Sequence, residues 1–178
     1  AQATMLDPDY GTYPYVTSSH PTIGGVACGC GVGLGSITHT LGVMKAYTTR
    51  TGRGPFPTEI FGPEGSELRE RGDEYEPNGN FRRIGWFDAV AARYAVRVNG
   101  LEGLALTKMN ALRDMKEVKI CVGYRHGEDL IQEFPANSEW LSECEPVYET
   151  LPGWGQIEGC NSYKELPQAA KDFVNRIE

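Results

Sequence analysis

Residues 86–110 read Trp-Phe-Asp-Ala-Val-Ala-Ala-Arg-Tyr-Ala-Val-Arg-Val-Asn-Gly-Leu-Glu-Gly-Leu-Ala-Leu-Thr-Lys-Met-Asn, and the switch of period within them decides the fold class. Phe87, Val90, Ala91, Tyr94, Ala95 and Val98 share one face at helical spacing. Asp88 sits in the first turn, where a carboxylate meets the positive end of the helix, and Asn99-Gly100 supplies a C-terminal stop. A strand over 103–106 follows at once. Outward from this pair, a brief helical pattern from Ile37 leads into 43–50, whose branched and aromatic residues suit a strand. A short charged helix is expected over 64–71, then a polar loop over 72–85. Further strands are expected at 118–124, 129–134 and 146–150, with a helix from Leu166 onward. Helices mixed with strands, with glycine loops at strand ends, predict an α/β domain over residues 1–178. Its sheet is expected to be mixed and largely parallel, with flanking helices and long glycine-rich ligand loops.

Composition limits the function classes. Hydrophobic residues make up 40% of the 178 and charged residues 23%, enough apolar surface for a core. Lys and Arg number 17 against 24 Asp and Glu, and the net charge of -7 repels polyanions, so nucleic acid is not an expected partner. No apolar run approaches the roughly 20 residues a bilayer requires, and no signal-peptide pattern opens the chain, so no membrane is expected and the setting is read as cytoplasmic. Cys28, Cys30, Cys121, Cys144 and Cys160 fit no zinc spacing and are read as reduced thiols. His20, His39 and His126 have no second ligand at metal spacing in sequence, and no metal site is assigned.

Two segments point toward a nucleotide. Gly24-Gly25 and Gly29, Gly31, Gly33 and Gly35 suit close approach of backbone to a phosphate, or equally a connector between packed layers. No Gly-Lys-Ser/Thr follows, so this is not a Walker loop. Thr107-Lys-Met-Asn110 is one residue away from the guanine-reading form Thr-Lys-x-Asp, in which a carboxylate accepts from two adjacent guanine donors while the Lys stem covers the base. The Asn110 amide replaces one acceptor by a donor, which leaves the base preference open.

Ordered along almost the whole chain are Ala1-Gln-Ala-Thr-Met-Leu-Asp7, Gly11-Thr-Tyr-Pro-Tyr-Val-Thr-Ser-Ser19, Lys45-Ala-Tyr-Thr-Thr-Arg50, Gly54-Pro-Phe-Pro-Thr-Glu59, Gly85-Trp86, Asn99-Gly-Leu101, Leu106-Thr-Lys108, Tyr148-Glu-Thr-Leu-Pro-Gly-Trp154 and Leu166-Pro-Gln-Ala-Ala170. This series resembles the central and C-terminal part of adenylosuccinate synthetases. The resemblance implies a piece of a larger single-domain enzyme, in keeping with a chain that lacks an initial Met and stops inside a helical pattern at Glu178. It also implies a homodimeric, GTP- and Mg2+-dependent ligase. That enzyme joins aspartate to C6 of inosine monophosphate through a 6-phosphoryl intermediate, with the metal ligands outside these residues.

By the same resemblance, Gln2 stands beside the 6-phosphoryl group, where a neutral amide donates to the developing oxyanion. Thr17 faces the 5′-phosphate, and Thr51 and Gly52 face the ribose. Arg82, followed by Arg83, grips the aspartate carboxylate and lies near the donor nucleotide. Lys108, Met109 and Asn110 take the donor base. Two departures fall at ligands. The loop Glu76-Pro-Asn-Gly-Asn-Phe-Arg-Arg83 is one residue short and has lost the family's hydroxyl run. Within it, Asn78, Gly79 and Asn80 occupy substrate-loop positions, Asn80 where the family carries its first arginine. The second departure is Asn110. A phage relative of this family condenses aspartate with deoxyguanylate using ATP, and loss of a ribose contact and of a guanine reader fits that alternative. A third reading is a nucleotide-binding piece without turnover.

Overall fold

The computed structural model describes every residue except Ala1, Pro77, Asn78 and Ala136, and only the backbone of Gln2 and Leu34. In chain order the elements are α1 (Gln2–Met5), α2 (Ile23–Cys30), β1 (Leu41–Lys45), β2 (Thr48–Arg50), α3 (Pro63–Gly72), β3 (Arg83–Gly85), β4 (Phe87–Asp88), α4 (Ala89–Asn99), β5 (Gly103–Thr107), β6 (Glu117–His126), β7 (Asp129–Ile131), α5 (Ser138–Ser142), β8 (Glu145–Pro152) and α6 (Gln168–Ile177). Mixed α/β class is as expected. β1 runs parallel to β5 and β4 parallel to β6, while β2–β3, β6–β7 and β6–β8 are antiparallel. The longest ladder, β6–β8, is therefore antiparallel, and parallel pairing holds a smaller share among the described residues than the sequence suggested.

The helix read from residues 87–98 starts two residues later. Asp88 is extended and its side chain accepts from the Ala91 amide, which makes it the N-cap. Phe87 is left in β4 opposite Ile120, where its ring meets Phe173 edge-on at 6.2 Å. Gly100, left-handed at φ 56°, closes the helix by donating to the carbonyls of Val96 and Arg97.

β6 organises the packing. Val118 and Ile120 face a large core with Tyr47, Ile84, Trp86 and Phe173, whereas Cys121 and Tyr124 face a smaller one with Val90, Leu141 and Cys144. Strict alternation would send Cys121 and Tyr124 to opposite faces. A register shift between Cys121 and Gly123 restores them to one face, so a single strand serves both cores. In the smaller core Tyr124 donates to Asp88 Oδ2 at 2.5 Å. Burial pushes the Asp88 carboxyl up, against the opposing bonds from Ala91 and Tyr124. Tyr124→Phe removes one of those bonds from a buried acceptor, and an equilibrium denaturation curve should show a loss of about 1–2 kcal/mol. An unmoved midpoint would mean that this bond adds nothing to stability.

Four local expectations change. The strand expected over 43–50 is two strands in two sheets: Ala46 continues toward Thr107 by donating to its carbonyl at 2.9 Å, and β2 then turns to β3. The glycine run is helical over most of its length, because Ile23 donates to Asn99 Oδ1 and docks α2 on the end of α4, and left-handed Gly31 ends it. At Gly25 a Cβ would lie 1.9 Å from the His20 carbonyl, so the close approach made possible by glycine there is to the chain's own backbone. The brief helical pattern expected from Ile37 does not form, a 3-10 turn lying just before it over Leu34–Ser36, and the strand expected over 129–134 ends at Ile131.

Candidate functional site

The C-terminal end of β1 and the segment after α3 place one buried carboxylate among three cations. Along Lys45-x-Tyr47-x-Thr49 alternate side chains point the same way, and Lys45 Nζ donates to both Thr49 Oγ1 and Glu74 Oε1, at 2.8 and 2.7 Å. Tyr47 donates to the same Glu74 oxygen at 2.6 Å. Lys108, left-handed at φ 56° where β5 ends, sends Nζ back to the Gly72 carbonyl and to within 3.4 Å of Oε1. Arg82 Nη1 reaches the other oxygen, Oε2, at 3.4 Å. Glu74 is 1% exposed, while the side chains of Lys45, Arg82 and Lys108 are 23%, 32% and 41% exposed. Three positive groups around one negative leave the cluster with a surplus of two positive charges at a partly open surface.

Burial pushes the Glu74 carboxyl up, but the bonds from Lys45 and Tyr47 and the charges of Lys45 and Lys108 outweigh it and hold it below the usual carboxylate range. Burial pulls Lys45 down against the opposing pull of Glu74, and burial with the neighbouring carboxylate pushes Tyr47 up. Arg82 is fixed through its backbone: its amide donates to the Glu74 carbonyl and its carbonyl accepts from Arg69 Nε at 2.8 Å. Its own Nε is buried without a hydrogen-bond partner among the described residues.

Arg83 serves a different group. Its guanidinium pairs with both Glu59 oxygens and donates to the carbonyls of Gly52, at 3.3 Å, and Gly54, at 2.8 Å. Arg50, 7% exposed, donates to the carbonyls of Arg53 and Tyr15 and to Thr12 Oγ1. These two guanidiniums hold the segment 51–54 against the loop 12–15. Beside them opens a groove lined in part by Tyr13, Tyr15, Gly54, Pro55 and Ser138. Thr17 follows that loop, half-buried, its amide donating to the Leu6 carbonyl.

Four of the sequence-assigned positions therefore fall into two bonded groups. Arg82 and Lys108 meet at Glu74; Arg83 joins Gly52 in the loop group, with Thr51 exposed beside it. Gly79, left-handed at φ 82°, and exposed Asn80 form a tight turn in which Glu76 donates to the Asn80 carbonyl. Asn110 is exposed in the 3-10 turn Met109–Leu112, and Met109 packs against the large core. Asn78 and the Gln2 side chain lie outside the described residues. Glu74, Lys45 and Tyr47 carry no role in the sequence reading. The alternation of Lys45, Tyr47 and Thr49 was the visible signal for two of them; a single acidic residue after a helix, as Glu74 is, gives none.

Mg2+ favours octahedral oxygen coordination. The candidate group of ligands among the described residues, Asp7, Asp9 and His20, brings an imidazole, and its Asp7 carboxylate already accepts from Thr22 Oγ1 and from the amides of Asp9 and Tyr10. These residues do not fit Mg2+. Among the described residues no helix is long and apolar enough to cross a membrane.

Comparison with known proteins follows the same lines. The profile of the adenylosuccinate synthetase family matches residues 1–178. The adenylosuccinate synthetase of Halothermothrix orenii is 56% identical over 180 residues, and that of Carboxydothermus hydrogenoformans 53%; each alignment covers 100% of this chain and 42% of the relative. The solved structure of fully ligated adenylosuccinate synthetase from Plasmodium falciparum superimposes with a TM-score of 0.95 at 40% identity, over 98% of this chain and 43% of that one. The chain thus spans under half the length of the relatives it matches.

Proposed function

The chain belongs to the adenylosuccinate synthetase family, and from that premise we propose that it forms the central and C-terminal part of a carbon–nitrogen ligase of purine biosynthesis. The reaction joins L-aspartate to C6 of inosine monophosphate. GTP gives its γ-phosphoryl group to the C6 oxygen; the aspartate amine then forms the bond to C6, loses a proton, and phosphate leaves as the C6–O bond breaks. The observation that carries this reading is the meeting of Arg82 and Lys108 at Glu74, in a cluster with surplus positive charge where the buried Arg82 Nε has no hydrogen-bond partner among the described residues. A planar guanidinium suits the carboxylates of aspartate. The Lys108 stem covers the donor base, with Met109 and Asn110 beside it.

On the acceptor side, the Gln2 amide donates to the oxygen that gains charge at C6, Thr17 takes the 5′-phosphate, and the backbone of Thr51 and Gly52 takes the ribose. Asn78, Gly79 and Asn80 complete the loop that closes on substrate. Mg2+ is assigned to the part of the family fold that these residues do not span, where it neutralises phosphate charge, and the working unit is a homodimer.

Crossing two acceptors, inosinate and deoxyguanylate, against two donors, GTP and ATP, in the complete polypeptide tests the reading. Following succinylated purine, the inosinate–GTP pair should dominate. Product only from deoxyguanylate with ATP would transfer the chain to the alternative chemistry that Asn80 and Asn110 suggest. Silence in all four pairs would sink the ligase reading.

A further inference from the structure

Glu74 holds its four partners on unequal terms. Tyr47 and Lys45 bind one carboxylate oxygen at 2.6 and 2.7 Å, in the range of strong, charge-assisted hydrogen bonds. Arg82 and Lys108 stand off at 3.4 Å, beyond the usual range. The two close partners are residues without an assigned ligand, and the two distant ones are those read above as ligand-binding, Arg82 for aspartate and Lys108 for the donor base. The carboxylate is thus fixed by one pair and offers its charge loosely to the other.

We propose that Glu74 is a positioning residue that links binding of aspartate to binding of the donor nucleotide. This rests on the assignment of Arg82 and Lys108 given under the proposed function. When a substrate carboxylate draws the Arg82 guanidinium toward itself, the competing pull on Glu74 Oε2 is lost and the repulsion of Arg82 on the neighbouring lysines is offset. Charges so close inside a protein interact far more strongly than in water. Lys108 is then drawn more firmly against Glu74 and the Gly72 carbonyl, and its stem is held over the donor base. By thermodynamic reciprocity, donor binding strengthens aspartate binding by the same factor. Glu74 touches neither ligand in this scheme; it acts through the two cations.

Equilibrium binding of a β,γ-imido analogue of GTP to the complete polypeptide at saturating inosinate, with and without saturating aspartate, measures the linkage without turnover. Aspartate is expected to tighten the analogue by about fivefold, toward the lower end of coupling between sites. Glu74→Gln keeps the shape and removes the charge; the analogue and aspartate should each still bind alone, and the fivefold ratio should fall to about one. Glu74→Asp restores the charge and should recover part of the ratio. Should the Gln variant fail to fold, Glu74→Asp provides the second reading: its shorter reach should lower the ratio below fivefold, and an undiminished ratio overturns the proposal. A merely structural Glu74 would alter melting and both affinities together without touching the ratio. Persistence of the fivefold ratio in Glu74→Gln overturns the proposal alone, as does a wild-type ratio of one. Failure of the wild type to bind the analogue removes the donor reading and this proposal with it.

Discussion

Arg82→Ala is expected to lower kcat/KM for aspartate by about a hundredfold to a thousandfold in the complete polypeptide, the scale of losing one charge-stabilising donor at a reacting centre. The backbone of Arg82 is already tied to Glu74 and to Arg69 Nε, so truncating the side chain leaves the path of the loop in place. The loss should therefore fall on aspartate far more than on the acceptor nucleotide. Arg82→Lys should not restore it, since an ammonium cannot reproduce a two-pronged grip on a carboxylate. Steady-state kinetics with each substrate varied in turn will decide, beside melting curves. An aspartate kcat/KM within threefold of wild type would remove Arg82 from the site.

Phe173→Ala should cost about 3–5 kcal/mol, the usual penalty for emptying a buried aromatic position. Phe173 is 0% exposed, with the Trp154 ring at 5.2 Å and the Phe87 ring at 6.2 Å, and with Ala170 it attaches α6 to the large core. Three stretches far apart in sequence meet at that one ring. Denaturant unfolding should show the midpoint falling, with the C-terminal helix losing amide protection first. A loss below about 1 kcal/mol would place the attachment of α6 elsewhere.

Legibility in the sequence followed the physics of each element. The helix ending at Asn99-Gly100 was readable because cap, apolar face and stop agree, and only its first two residues were misplaced, since a buried Phe87 suits a strand as well as a helix face. β6 was readable as a run of branched residues, but its register shift was not: a bulge is set by the partner strand. The glycine run misled because glycine's poor helix propensity is a weak prior that docking on Asn99 overrides. Around Glu74, motifs drew attention to Arg82 and Lys108 one at a time. Their common partner was not legible, because Glu74 is separated by 34 residues from Lys108 and by 29 from Lys45, and nothing local marks a carboxylate as buried.

The two guanidiniums of Arg50 and Arg83 bear on affinity in a way that contact geometry alone does not express. A loop that must freeze when a nucleotide arrives loses conformational entropy at that moment, and the loss is subtracted from the binding free energy. Residues 51–54 are already tied by three arginine-to-carbonyl hydrogen bonds, to Gly52, Arg53 and Gly54, and Arg50 reaches across to the Tyr15 carbonyl. Their ordering is settled during folding. A ligand reaching this edge meets a surface of fixed shape, and whatever it gains there is kept as affinity.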